Sequence, residues 1–198
     1  MTSVEVGRIP PAFRLPSGQG PEVGPEDYRG RQNVVVWFTK GMGCPFCRRQ
    51  MTQLVHAYPD LKALNAEILE VTSTPADRAR LYVSNYRIPF PYLCDPDYRV
   101  RRSWGLEKRS HSLGWYALKV YEGMKLEKPP SDFGHELPSL REFPGALADL
   151  DMGFYILDKS GVLRYAVAGS YLVDGAARQI PTKEEIAREL RLCEQEAG

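Results

Sequence analysis

Residues 34–47 have the sequence VVVWFTKGMGCPFC, and this stretch decides the fold. Its first five residues form a continuous run of β-branched and aromatic side chains, which is typical of a central strand buried on both faces of a sheet. Pro45 then predicts the first turn of a helix, because the N–H that proline lacks has no partner at that position. Cys44 and Cys47 therefore stand where a buried strand passes into a helix.

The position of the two cysteines favours thiol chemistry. The reactive form of cysteine is the thiolate, and the free N–H groups and the dipole of a helix N-terminus stabilise that anion. Arg48 adds positive charge in the same turn, and Lys40 would either stabilise a thiolate or be solvated, as loop lysines usually are. A spacing of three residues brings the two sulfur atoms to one side of the turn. Cys44 and Cys47 are thus predicted to be a catalytic redox pair.

A Cys-x-x-Cys pair is also found as half of a zinc site, which needs two further ligands at a suitable spacing. Here Cys94 and Cys193 are isolated, so we interpret them as a buried strand residue and a core-facing helix residue. The sequence also has no glycine-rich phosphate loop and no flavin or nicotinamide fingerprint. The three histidines are scattered along the chain as well: His56, His111 and His135. We therefore expect neither a metal nor another cofactor.

Beyond this stretch, strand and helix patterns alternate along the chain. The first thirty residues are rich in proline and glycine and predict turns and an edge strand. Thr182 and Glu185 have the spacing of a helix capping box. Further strands are predicted at 66–72 and 90–94, helices at 75–86, 99–104 and 182–196, and a β-hairpin at 153–157 and 162–168.

The order of these elements predicts the α/β fold class. We expect a single domain, residues 1–198, with a central mixed β-sheet and helices on both faces. The domain has an N-terminal extension, and an insertion at about 107–150 precedes the last hairpin. Within this insertion, partial helix is predicted near residues 115–121.

Composition and charge exclude several classes of function. The chain has 198 residues, of which 43% are hydrophobic and 26% charged, and its net charge is +1. Such a chain has no overall field to attract nucleic acid or anionic lipid, and no apolar run is long enough to span a bilayer. Residues 1–11 lack the apolar region of a secretory signal, so a cytoplasmic location is expected. A local basic run is expected to be a solvated face: Arg99, Arg101, Arg102, Lys108 and Arg109.

The chain resembles the AhpC/TSA family, the peroxiredoxins and their thioredoxin-like relatives. The resemblance implies a thioredoxin-like fold and a thiol-dependent oxidoreductase with an antioxidant role. The CPFC motif is itself similar to the CPYC of glutaredoxins, which implies a moderately oxidising couple. Four segments carry the family resemblance: 6–15 (VGRIPPAFRL), 28–31 (YRGR), 93–106 (with LCDPD and WGL) and 154–164 (FYILDKSGVLR).

The resemblance also assigns positions within the site. The family carries Pro-x-x-x-Thr/Ser-x-x-Cys, in which the cysteine attacks peroxide and the hydroxyl orients it. On this chain Cys47 takes the attacking position, Cys44 replaces the hydroxyl residue and Lys40 replaces the proline. The family's active-site arginine falls at Met152, and disulfide-exchanging relatives would have a cis-proline at or beside it. Accessory residues of both kinds are thus expected to be absent, and the candidates for support are Thr39, Lys40, Pro45, Arg48 and Met152.

Two mechanisms use the same pair of cysteines. In the first, Cys47 attacks a hydroperoxide to give a sulfenic acid, Cys44 condenses with it to a disulfide, and a thioredoxin- or glutathione-type thiol donor resets the pair. In the second, Cys44 attacks a substrate disulfide and Cys47 resolves the mixed disulfide. Resemblance along the whole chain favours the first mechanism.

A third hypothesis belongs to another class of function. The thioredoxin-like fold would serve as a binding module, with the cysteine pair as a redox switch. The insertion would then contact a partner or form a homodimer through aromatic residues that the sequence suggests are exposed: Trp115, Tyr116 and Tyr121.

Overall fold

The computed structural model describes residues 4–112, 114–115, 117–118, 121, 132–133, 142, 148–170 and 180–196. Among these residues, no helix is long and apolar enough to cross a membrane. The strands are β1 (Leu15–Pro16), β2 (Glu22–Val23), β3 (Asn33–Phe38), β4 (Ala66–Thr72), β5 (Tyr92–Cys94), β6 (Lys108–Arg109), β7 (Asp149–Leu157) and β8 (Leu163–Ser170). The helices are α1 (Pro45–Ala63), α2 (Ala76–Tyr86), α3 (Arg99–Ser103) and α4 (Lys183–Glu196).

The central strand is β3, as its apolar run predicts. It pairs in parallel with β4 on one edge and antiparallel with β7 on the other, so that Val36 lies opposite both Leu69 and Tyr155. The strand order is β5-β4-β3-β7-β6, and β8 pairs with β7 as the second strand of the predicted hairpin. The sheet is therefore mixed, as expected.

Helices cover both faces of this sheet, as predicted. Val35 and Trp37 of β3 pack in the core that α1, α2 and α4 cover. Val36 and Phe38 belong to a second core, which α3 and the N-terminal segment cover. Every residue of β3 is buried, since successive side chains of a strand point to opposite faces. The two-sided burial explains why this strand is an unbroken apolar run.

The N-terminal extension differs in detail from the expected edge strand. β1 and β2 pair with each other as a separate two-stranded antiparallel sheet. A single bridge between Ser17 and Leu93 joins this unit to β5. The proline- and glycine-rich sequence allows only two-residue strands here, because proline cannot donate to a ladder.

The two ends of the predicted insertion meet in the structure. Lys108 and Arg109 of β6 pair with the start of β7, which the sequence did not predict. Trp115 was expected to be exposed, but it is half-buried and its ring stacks on His111 with the centroids 3.7 Å apart. Tyr121 is exposed, as expected. Tyr116 and most of the predicted partial helix lie outside the described residues.

Candidate functional site

The turn between β3 and α1 presents the cysteine pair. Gly41 has a φ of +80°, and a Cβ at this position would lie 2.7 Å from both the Thr74 Oγ1 and the Tyr92 hydroxyl oxygen. Only glycine fits this left-handed, crowded position without strain. The Met42 N–H donates to the Tyr92 hydroxyl at 3.3 Å, and Arg48 Nη1 donates to the Met42 carbonyl at 3.0 Å. The turn is thus fixed by hydrogen bonds to Tyr92 of the sheet and to Arg48 of the helix.

Cys44 is the N-cap of α1. Its backbone is extended, and its sulfur accepts the Cys47 N–H at 3.4 Å. Pro45 follows as the first helical residue, as predicted. Both cysteines are free thiols and buried, with exposed fractions of 6% for Cys44 and 2% for Cys47. The side chain of Cys44 therefore takes the place of the Ser, Thr or Asp that usually caps a helix.

Cys47 lies against the end of β3. Burial raises the pKa of its thiol well above the ordinary value, and the neighbouring Cys44 raises it further. Hydrogen bonds from the Thr39 side chain and the Lys40 main-chain N–H lower the same pKa, because they favour the thiolate. The thiol of Cys47 is therefore buried, and two hydrogen-bond donors favour a negative charge on its sulfur.

Two of the basic residues near the motif are structural. Lys40 is buried and its Nζ donates to the Ala148 carbonyl at 2.5 Å, so the solvated position that the sequence suggested is wrong. Arg48 is buried and holds the turn, whereas Arg49 is exposed. The charged groups of Lys40 and Arg48 are therefore buried and bound to main-chain carbonyls, and do not lie on the helix surface.

Arg101 belongs to the site, although the sequence suggested otherwise. The basic run was expected to be a solvated face, but the Arg101 side chain is buried. Its Nη2 donates to the Thr39 carbonyl at 2.8 Å, its Nη1 donates to the Asp151 carbonyl, and its guanidinium lies 5.6 Å from the centre of the Phe38 ring. A signal was present in the sequence, since Arg101 shares a helix face with the buried Trp104 three residues later.

Met152 was a candidate because the family's arginine falls there. It is buried in β7, where it lines a small cavity together with Trp37 and Gln50. The neighbouring Asp151 supplies the carbonyl that Arg101 binds. A buried cation at this end of the sheet therefore comes from α3, while position 152 contributes an apolar side chain.

Sequence comparison gives one family and several relatives. A model described as the AhpC/TSA family matches residues 6–127. The chain is similar to "Peroxiredoxin Q, chloroplastic" of Triticum aestivum, with 26% identity over 82% of this chain and 58% of that protein. It is also similar to "Putative peroxiredoxin MT2597" of Mycobacterium tuberculosis, with 29% identity over 52% of this chain and 66% of that protein. The chain thus spans less than two thirds of the length of these relatives.

Two crystal structures share the fold. Peroxidoxin BcpB from Mycobacterium tuberculosis superposes with a TM-score of 0.64 at 12% identity, with 97% of each chain covered. A mutant of PrxQ from Xylella fastidiosa gives a TM-score of 0.67 at 11% identity, with 97% of this chain and 98% of that chain covered. At these identities the similarity concerns the fold alone, and it confirms the thioredoxin-like fold.

Proposed function

Because this chain belongs to the AhpC/TSA family, we propose that it is a peroxiredoxin-like thiol peroxidase in which Cys47 attacks a hydroperoxide. Cys44 is the resolving cysteine, three residues away at the cap of the same helix. The observation that carries the proposal is the buried pair of free thiols at the start of α1, where the Cys47 N–H donates to the Cys44 sulfur. The Thr39 side chain and the Lys40 main-chain N–H lower the pKa of Cys47 and so favour its thiolate. Such donors stabilise a thiolate where water is excluded.

The reaction proceeds in three balanced steps. The Cys47 thiolate gives an electron pair to one peroxide oxygen, the S–O bond forms as the O–O bond breaks, and the leaving oxygen takes a proton to become an alcohol or water. Cys44 then attacks the sulfur of the Cys47 sulfenic acid, which forms the disulfide and releases water. An external thioredoxin- or glutathione-type thiol donor supplies two electrons and two protons to restore both thiols.

A second candidate function is disulfide exchange with Cys44 as the nucleophile. The observation that favours it is the position of Cys44 at the N-cap, where its sulfur already accepts the Cys47 N–H. Cys44 is also the more exposed of the two thiols. A substrate disulfide would then be attacked by Cys44, and Cys47 would release the product by closing the intramolecular disulfide.

Stopped-flow fluorescence separates these two functions. The buried Trp37, one residue before the end of β3, is expected to report oxidation when reduced protein is mixed with hydrogen peroxide. We expect oxidation far faster than that of free cysteine, abolished in Cys47→Ser and retained in Cys44→Ser. In Cys44→Ser the reaction should stop at a sulfenic acid, which a 1,3-diketone traps for mass spectrometry.

Cys94→Ser is the matched control, since Cys94 is an equally buried cysteine on another element. It should react with peroxide like the unchanged protein. If the reaction with peroxide is no faster than that of free cysteine, the peroxidase is excluded. Rapid, Cys44-dependent reduction of a small disulfide would then support the exchange function.

A further inference from the structure

Arg101 is a buried cation that forms no ion pair with the residues the structure describes. Its guanidinium donates to two main-chain carbonyls, those of Thr39 and Asp151. No carboxylate among the described residues lies within ion-pair distance of it. Burial of an unpaired charge is costly, and burial accordingly lowers the pKa of Arg101. A buried guanidinium of this kind can stabilise an anion that forms next to it.

Among the described residues, five ionisable groups interact electrostatically with the Arg101 guanidinium or with the Cys47 thiol. Asp95 is the carboxylate with the largest electrostatic effect on the pKa of Arg101. Its two oxygens already accept the main-chain N–H groups of Val100 and Arg101, at 3.2 and 2.9 Å. Tyr98 and Tyr155 contribute phenol groups, and burial raises the pKa of Tyr155. The thiols of Cys44 and Cys47 complete the set. Cys47 is the group among them that gains a negative charge in the proposed reaction.

Thr39 connects the cation to the thiol. Its carbonyl accepts from Arg101, and its side chain hydrogen-bonds to the Cys47 sulfur. The guanidinium and the thiol therefore contact the same residue at the end of β3. Because Arg101 and Cys47 are both buried, their interaction is little screened by solvent.

We propose that Arg101, delivered by α3, is the electrostatic partner of the Cys47 thiolate, and that Asp95 positions it by capping the first turn of α3. This assignment rests on the proposed reactive cysteine, but not on a peroxide as the substrate. When Cys47 loses its proton to solvent, the negative charge forms beside the guanidinium. When the S–O bond forms and the O–O bond breaks, this negative charge moves to the leaving oxygen. Protonation of the leaving oxygen then neutralises the charge.

The test is the pH profile of Cys47 alkylation by iodoacetamide in a Cys44→Ser background. Alkylation measures the thiolate directly, and mass spectrometry assigns the modified cysteine. We expect Arg101→Met and Arg101→Gln to raise the midpoint by about one pH unit or more, which is about a tenfold loss of rate at neutral pH. Arg101→Lys, which keeps the charge, should retain a midpoint near that of the parent.

Arg102→Met is the matched control, because Arg102 lies on the same helix and is exposed. It should leave the midpoint unchanged. Arg101→Gln keeps an N–H donor for the carbonyls, so it continues the test if Arg101→Met does not fold. An unchanged midpoint in folded Arg101→Gln overturns the proposal, and so does a Lys variant shifted as far as Gln.

The peroxide experiment is independent of this result. A raised midpoint together with a peroxide rate like that of free cysteine keeps the assignment of Arg101 and excludes the peroxidase. Fast peroxide reduction with an unchanged midpoint in Arg101→Gln keeps the peroxidase and excludes Arg101 as its electrostatic partner.

Discussion

Cys44 and Cys47 share one helical turn but differ in their surroundings. Cys44 Sγ accepts a main-chain N–H at the start of α1, whereas Cys47 contacts Thr39 and Lys40 at the end of β3. Burial is the largest cause of the raised pKa of Cys47, and Cys44 adds to it. The spacing of the cysteines fixes their proximity, but these surroundings determine how readily the Cys47 thiol ionises.

The raised pKa of Cys47 predicts the pH dependence of its oxidation. A thiol that titrates above neutral pH gains thiolate about tenfold per pH unit on the acidic side of its pKa. The second-order rate of oxidation by hydrogen peroxide should therefore rise about tenfold per unit between about pH 6 and pH 8. Stopped-flow traces over this range measure the slope.

Cys44→Ser serves as the comparison in the same experiment. It removes the second cause of the raised pKa, so its rate at neutral pH should equal or exceed that of the parent. A rate that does not change between about pH 6 and pH 8 would contradict the prediction, because it would mean that Cys47 is already ionised there.

At the scale of the element, α3 depends on a residue outside it. The helix has five residues, and its N-cap Tyr98 has a φ of 56° and no side-chain capping bond. Asp95 caps the helix instead, with its two oxygens on the N–H groups of the first turn. The turn signal Asp95-Pro96-Asp97, visible in the sequence, thus orients the helix that carries Arg101.

We expect Asp95→Ala to weaken both the fold and the site. The loss of two buried, charge-assisted hydrogen bonds should lower the free energy of unfolding by about 2 kcal/mol. The alkylation midpoint of Cys47 should also rise, because α3 no longer fixes Arg101. Urea unfolding followed by circular dichroism measures the first effect, and the iodoacetamide profile measures the second.

Asp97→Ala is the control for this variant, since Asp97 belongs to the same turn and is exposed. It should change neither quantity by much. Loss of stability in Asp95→Ala with an unchanged midpoint would show that Asp95 holds the helix without positioning Arg101.

At the scale of the whole molecule, Trp104 joins segments that are far apart in the chain. Its ring packs against Phe13, Phe38 and Tyr155, with centroid distances of 5.8, 5.3 and 5.0 Å. Its Nε1 donates to the Pro11 carbonyl at 3.0 Å. The second core thus ties the N-terminal segment, the central strand and the hairpin to α3.

Trp104→Ala is expected to lower the free energy of unfolding by about 3–5 kcal/mol, because it leaves a large cavity where four segments meet. Urea titration followed by circular dichroism measures this loss. Trp115→Ala, which removes a half-buried tryptophan from the insertion, should cost less. Equal losses in the two variants would contradict the central position of Trp104.

Much of the fold followed from local patterns. The predicted strand at 66–72 matches β4, and the predicted helix at 182–196 begins one residue before α4. The capping box is formed as predicted, with Thr182 Oγ1 accepting the Glu185 N–H at 3.2 Å. Cys193 is buried in the last helix, as its spacing suggested. These features depend on residues a few positions apart, which is the range that sequence patterns report.

The sequence by itself determined the order of strands and helices and the position of the cysteine pair at the start of a helix. The cytoplasmic location and the homodimer stay predictions. Only the tertiary structure decided which charged side chains are buried. Glu70 was seen only as part of a strand, yet its buried carboxyl oxygens have no hydrogen-bond partner among the described residues, and burial raises its pKa.

Arg101 shows the physical reason. Its two carbonyl partners, on Thr39 and Asp151, lie 62 and 50 residues away in the chain. A pattern of neighbouring residues reports the local preference of an arginine for solvent, but not the distant strands that pack over it. The burial of Arg101 could therefore not be predicted from the sequence, because its environment is built by segments that meet only when the chain is folded.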